Sequence, residues 1–226
     1  MTYTVLVANR YPDIIVPLVK SIKKYEPDAN VLVLADHHNN NYGFRALSHS
    51  LDTFQFSVVM NMGIEACPYD DIILLNDDCV LLEPTFGPLF EVSAKYPSVG
   101  ILSPLIRGCV GNVLQRYHEQ AKWWAADETI KFVWGNKPVC FPCVLLRRDM
   151  IRKIGLLDET IEGYGFDDNE YCERARRMGW DTAVTSRVIV QHGDGARDLT
   201  RGKTWSLSFA RKERTNACLQ TGLHQW

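Results

Sequence analysis

The sequence predicts an α/β protein, a single domain in which helices flank a mostly parallel central sheet. Three observations predict it. The first half alternates strand-like and helix-like segments in the order β-α-β-α-β. Its strand candidates, such as residues 31–35 (VLVLA), are apolar throughout rather than at every second position. Continuous apolar strands belong to sheets covered on both faces, and strand–helix–strand alternation makes neighbouring strands parallel. Finally, 226 residues with 46% apolar side chains suffice for one substantial core.

The elements follow in order. Residues 3–8 (YTVLVA) form a first strand, closed by the turn Asn9-Arg10-Tyr11-Pro12. From 14 to 25, apolar residues at 14, 15, 18, 19 and 22 make a helical stripe, with Pro17 tolerated only near its first turn. The strand at 31–35 ends in Asp36-His37-His38, residues 58–67 read as a helix, and a third buried strand at 72–75 ends in Asn76-Asp77-Asp78. Beyond Pro84 come a helix around 89–96 and a strand at 99–102. Shorter strands are expected near 113–117, 130–134 and 139–147, and a short helix at 149–154 ends at Gly155. A strong helix at 167–178 stops at Gly179, and 182–191 is the last strand.

Charge and cysteine usage exclude several classes. Lys and Arg total 25 against 27 Asp and Glu, a net charge of −2, so no general nucleic-acid binding is expected. The seven cysteines (67, 79, 109, 140, 143, 172, 218) are odd in number and mostly inside apolar runs, which fits reduced, buried thiols. Neither a secretory signal nor a transmembrane anchor is visible, and Asn-x-Ser/Thr is absent, so a cytoplasmic location is expected. The local exception to the acidic balance is residues 193–226, with six Lys/Arg (Arg197, Arg201, Lys203, Arg211, Lys212, Arg214) against three acids. This basic stretch reads as solvated charge, as a cover for an anionic group, or as a segment docking to a larger assembly.

In parallel α/β sheets, ligands bind beyond the carboxyl ends of the strands. Asn9, Asp36 and Asn76-Asp77-Asp78 stand at three such ends, where they form a polar crevice or merely begin turns. Adjacent carboxylates such as Asp77 and Asp78 repel one another unless a cation joins them, and few-carboxylate oxygen sites suit Mg²⁺ or Mn²⁺. A second acidic centre, Asp167-Asp168, opens the helix behind the loop Gly163-Tyr164-Gly165-Phe166. One acid suffices as a helix cap, which leaves the other as a candidate general base. Glu170 and Arg174, four apart, make an ordinary helix-surface pair. His192 follows the last apolar strand, before Gly193-Asp194-Gly195, as a metal ligand or a structural histidine.

These centres, in this order and spacing, resemble the family 2 glycosyltransferases of the GT-A fold, inverting enzymes that include rhamnosyltransferase-like proteins. The residues carrying the resemblance are VLVANR, VLVLAD, Asn61-Met62-Gly63-Ile64-Glu65-Ala66, LLNDD, VLLRRDMIRKIGLLDE, EGYGFDDNEYCERARRMGW and VIVQHGDG. They run from about Thr4 to Gly195. The resemblance implies a GT-A, Rossmann-like domain at 1–195, with a nucleotide-binding half (1–83), an acceptor half (84–195) and a basic extension at 196–226. It implies that Asn9 and Asp36 hold the base and ribose of a nucleoside-diphosphate sugar donor, joined by Asn61, Asn76 and Asp77. Asp78 would hold Mn²⁺ or Mg²⁺ with His192 as a further contact, and Asp168 would be the catalytic base for an acceptor hydroxyl of unknown type. The sequence departs mildly: Asp167 and Glu170 stand where the family has Glu and Asp, and Asn76 replaces the first acid of the metal motif. The Gln-x-x-Arg-Trp motif of processive synthases is missing.

Other readings are weaker. Cys140-Phe-Pro-Cys143 has redox-pair spacing but enters an apolar strand late in the chain, where packing explains it better. His37-His38 line a loop or add metal ligands. Trp123, Trp124 and Trp134 are acceptor platforms or core. The alternatives to a transferase of sugars are a non-catalytic nucleotide-sugar or glycan binding module, and a nucleotidyltransferase, whose glycine-rich phosphate loop VLVANRYPD lacks.

Overall fold

The computed structural model describes residues 2–36, 42–51, 54–108, 112–134, 138–161 and 166–193. From the N-terminus, β1 (Tyr3–Asn9), α1 (Val16–Tyr25), β2 (Val31–Asp36), β3 (Arg45–His49), α2 (Phe56–Ala66) and β4 (Asp71–Asn76) follow one another. Then come β5 (Cys79–Leu81), α3 (Phe86–Lys95), β6 (Val99–Arg107), the short α4 (Gln120–Trp123) and β7 (Ile130–Phe132). β8 (Cys143–Leu146), α5 (Arg148–Ile154), α6 (Asp167–Arg177) and β9 (Asp181–His192) complete the described part.

Among the described residues the strands form one nine-stranded sheet in the order β3-β2-β1-β4-β8-β6-β9-β5, with β7 paired to β9. β1 to β4 are parallel to one another. β8 runs against both β4 and β6, so β6 runs with β4, and β9 runs with β6. Six strands therefore share one direction, and their last residues lie along one edge. Those residues are Asn9, Asp36, His49, Asn76, Arg107 and His192, all polar.

Alternate residues of each strand feed two cores, which is why the strands are apolar on both faces. Leu6, Leu32, Leu34, Ile72 and Leu74 pack under α2, α5 and α6. Val5, Val7, Val31, Val33, Ile73 and Leu75 pack under α1 and α3. Gly63 lets α2 sit close to the sheet, because a Cβ there would lie 2.9 Å from Leu6 Cδ1 and 3.0 Å from Leu34 Cδ1. At the far edge the adjacent arginines hold backbone. Arg148 Nε donates to the Asp70 carbonyl at 2.7 Å and Arg147 Nε to the Val99 carbonyl at 3.2 Å.

Most expected elements appear with ends shifted by a few residues. β3, β5 and α4 go beyond the elements the sequence predicts, and residues 113–117 are not a strand. That segment meets β6 at an isolated Ile106–Arg116 bridge, where the Ile106 N–H donates to the Gln115 carbonyl at 2.6 Å. Its Gln115, fully buried, gives its side-chain amide to Ser103 Oγ (2.7 Å) and the Cys140 carbonyl (2.9 Å) instead.

Candidate functional site

Three carboxylates and their partners gather at the polar edge. Asn9, fully buried at the end of β1, donates through Nδ2 to Asp77 Oδ2 at 2.8 Å and to the Tyr11 carbonyl at 2.9 Å. The Tyr42 hydroxyl donates to Asn9 Oδ1 at 3.1 Å, which fixes the amide with its N–H groups toward Asp77. One strand away, Asp36 is 4% exposed and lies 3.5 Å from Arg10 Nε and 3.7 Å from His49 Nδ1.

The turn Asp77-Asp78 connects β4 to β5, and β5 runs back against β9 with Cys79 opposite His192. That pairing brings His192 Nε2 to 3.3 Å from Asp78 Oδ1. The Gly193 N–H donates to the Asp78 carbonyl at 3.1 Å and closes the ladder. Asn76, at the end of β4, donates its backbone N–H to the Pro142 carbonyl at 2.8 Å. Beneath the turn, burial pushes the Cys79 thiol well above its ordinary range, and the Asp78 charge pushes it further.

Asp167 and Asp168 reach the same edge by another route. α2 follows β3 and precedes β4, so it begins at the carboxyl edge of these parallel strands. Ser57, in its first turn, donates to Asp167 Oδ1 at 2.6 Å and draws the start of α6 to that edge. Asp167 is buried and Asp168 half-buried, its Oδ1 accepting the Asn169 N–H at 2.9 Å. Phe166, just before them, holds the left-handed φ of 73°. A non-glycine residue there carries roughly 1–2 kcal/mol of strain, a cost more common beside functional groups than elsewhere.

Asn61, expected with the nucleotide ligands, is directed elsewhere. Its Oδ1 accepts the Leu157 N–H at 3.0 Å, and its Nδ2 donates to the Leu157 carbonyl and Glu159 Oε1, both at 2.9 Å. It therefore ties α2 to the segment after α5, and its side-chain hydrogen bonds are made there rather than to Asn9, Asp36, Asp77, Asp78 or His192. Arg174 serves the same segment. Beyond its expected pair with Glu170 (2.6 Å), it donates to the Ile154 and Leu156 carbonyls at 2.9 and 2.7 Å. Trp124 is core, with its indole N–H on the Leu114 carbonyl at 3.2 Å. Trp123 is 39% exposed and donates to Glu119. Trp134 is 78% exposed, but it follows β7, which runs against β9 away from the polar edge. Cys140 donates through Sγ to Gln115 Oε1 at 3.3 Å, and Cys143 is a buried thiol. His37, His38, Gly163 to Gly165, Asp194, Gly195, Cys109, Cys218 and the basic stretch lie outside the described residues.

Sequence reasoning did not single out Tyr42, His49 or Ser57, and it quoted Arg10 only within a motif. His49 sits in a strand whose sequence, RALSH, lacks the apolar run that marks the others. Ser57 and Tyr42 act through pairings 110 and 33 residues apart, which no local pattern reports.

The donor set fits a hard divalent cation held by few protein groups. Among the described residues no three metal-type side chains cluster, so Asp78 and His192 would form a two-ligand site. Mg²⁺ and Mn²⁺ commonly take their remaining ligands from phosphate and water.

No family model and no curated protein matches the sequence. Solved structures do resemble the fold. GalNAc-T7 crystallised with UDP, GalNAc and Mn²⁺ gives a TM-score of 0.65 at 13% identity, covering 85% of this chain and 44% of that one. TarS of S. aureus gives 0.65 at 12% identity, covering 100% and 40%. The Pyrobaculum calidifontis mannosyltransferase PcManGT, in complex with GDP-Man and Mn²⁺, gives 0.61 at 13%, covering 96% and 62%. The chain thus spans less than two thirds of each of these proteins. At such identities the likeness establishes the fold alone, and that fold is GT-A, the architecture of these glycosyltransferases.

Proposed function

We propose that the chain is a metal-dependent, inverting glycosyltransferase of the family 2 type, moving a hexosyl or deoxyhexosyl group from a nucleoside-diphosphate sugar to an acceptor hydroxyl. The observation that carries this reading is the Asp78–His192 pair at the edge that also holds Asn9, Asp36 and Asp77. Two of the similar structures hold Mn²⁺, one with UDP and one with GDP-Man, and this agrees with such a donor.

In this reading the domain occupies 1–195, with donor recognition in 1–83, acceptor recognition in 84–195, and 196–226 as an extension. Asn9 and Asp36 hold the base and ribose, and Asp77, oriented by Asn9, faces the ribose or phosphate. Asp78 and His192 would hold Mn²⁺ or Mg²⁺, which when bound neutralises charge on the departing diphosphate. Asp168 accepts the proton of the acceptor hydroxyl. The acceptor oxygen bonds to the anomeric carbon as the bond from that carbon to the diphosphate oxygen breaks, so the configuration inverts. Asn61 and Arg174 brace the segment between α5 and α6 and touch neither substrate. The acceptor is a glycan, protein, lipid carrier or modified base. Buried thiols at Cys67, Cys79, Cys143 and Cys172 agree with a reducing, cytoplasmic setting. Among the described residues no helix is long and apolar enough to cross a membrane.

A thermal-shift screen of nucleotide sugars with and without Mn²⁺ tests this reading, since a ligand of the native state raises its melting temperature. A nucleotide sugar that stabilises the protein only with the metal supports it. Stabilisation by none of them, or equal stabilisation in EDTA, contradicts it.

A further inference from the structure

Resting on the reading above that this edge binds a nucleotide, we infer that His49 is a positioning residue for the donor base. From the end of β3 it fixes the Asp36 carboxylate so that the carboxylate meets a lactam-type N–H.

Four observations carry this. Asp36 and His49 are the last residues of adjacent parallel strands and stand opposite one another in the register. Both are nearly sealed from water, with side chains 4% and 2% exposed, and His49 Nδ1 lies 3.7 Å from Asp36 Oδ1. Arg10, whose Nε lies 3.5 Å from Asp36 Oδ2, belongs to a side chain 44% exposed, so of these two neighbours His49 is the packed one and Arg10 the adjustable one. Finally, β3 is an edge strand of which only the last residue is buried. Leu47, on the same face, packs against the core as an apolar side chain; at the most buried position an imidazole stands instead, against a carboxylate.

The chemistry names the ligand class. A buried carboxylate needs fixed polar partners, and it accepts hydrogen bonds without donating them. Uracil and guanine present a ring N–H to such an acceptor. Adenine and cytosine present a bare ring nitrogen at the corresponding edge, which a carboxylate repels. A held Asp36 therefore favours uridine or guanosine diphosphates, and loosening it weakens binding and blurs the preference. The chemical step at Asp168 is left alone.

The test is calorimetric titration of the full chain with UDP, GDP and ADP in Mn²⁺, for wild type, His49→Asn, His49→Gln and Asp36→Asn. The Asn amide nitrogen takes the place of imidazole Nδ1, whereas the Gln nitrogen takes that of Nε2. The two variants are equally polar and differ by one methylene, so melting temperature reads the packing and affinity reads the position of the nitrogen. The expected result is Asn within about threefold of wild type, and Gln weakened about tenfold or more for the preferred nucleotide with less discrimination against ADP. Melting temperatures of the two variants should agree. If both variants bind like wild type while Asp36→Asn loses binding, the role of His49 is overturned and the nucleotide reading stands. If both lose binding together with melting temperature, His49 only supports the fold and the inference is overturned. If wild type binds neither UDP nor GDP, or Asp36→Asn binds them unchanged, the nucleotide reading of this edge fails.

Discussion

Ser57 Oγ donates to Asp167 Oδ1 across 2.6 Å, joining the first turn of α2 to the first turn of α6. This bond distinguishes two carboxylates adjacent in sequence. Asp167 is buried and committed to the scaffold, whereas Asp168 is half-buried at the polar edge. Ser57→Ala should leave the buried Asp167 carboxylate short of a donor and cost about 1.5–3 kcal/mol, since hydrogen bonds to charged groups are the stronger ones. Denaturant unfolding should show the loss, and Ser57→Thr, which keeps the hydroxyl, should recover most of it.

Asn61 supports the same region from below. Asn61→Ala removes a side chain that satisfies both the N–H and the carbonyl of Leu157, and it should destabilise the fold by about 2–4 kcal/mol. Because the Asn61 side chain is committed to Leu157 and Glu159, nucleotide affinity measured well below the melting temperature should stay within about twofold. A large affinity loss with unchanged stability would return Asn61 to the nucleotide site.

Metal dependence should reside in Asp78 and His192. Asp78→Asn and His192→Ala should each raise the Mn²⁺ concentration for half-maximal nucleotide binding, on the order of 10–100-fold. Mn²⁺ titration monitored by nucleotide calorimetry reads this directly. Cys79, beneath the turn, makes a control, because Cys79→Ala alters packing without removing a ligand.

The buried thiols give the protein an alkaline limit. Burial raises the Cys143 thiol from 9.0 to about 12, and burial raises Cys79 and Cys172 likewise. A group whose pKa is higher in the folded state binds more protons there than in the unfolded chain once pH passes 9. Its stabilisation is therefore complete below pH 9 and is lost as pH rises toward 12. For Cys143 alone the loss is on the order of 1 kcal/mol at pH 10. Denaturant midpoints at pH 8 and pH 10 should differ in that direction, and native iodoacetamide labelling at pH 8 should reach half-buried Cys140 before Cys79, Cys143 or Cys172.

The sequence made the sheet legible where burial on both faces leaves a local mark. VLVLA and IILL announce β2 and β4 because each residue is needed by one of two cores. β3 escaped notice since four of its five residues are not buried, and β5 is only three residues long. For the site, residue types and their position after strands pointed to Asp36, Asp77, Asp78, Asp168 and His192. What joins them came from long-range geometry: antiparallel β5–β9 pairing places His192 at Asp78, and the sheet register places His49 at Asp36. Asn61 shows the converse, a polar residue within a recognisable motif whose hydrogen bonds serve a neighbouring loop.

The central claim is that Asp168 takes the acceptor proton, and one comparison tests it most directly. Nucleoside diphosphate release from the donor identified by thermal shift is measured with Mn²⁺ and acceptor for wild type and Asp168→Asn, alongside donor affinity. The account predicts that turnover falls by about 10²–10⁴-fold while donor affinity stays within about twofold. Undiminished turnover in Asp168→Asn would contradict it.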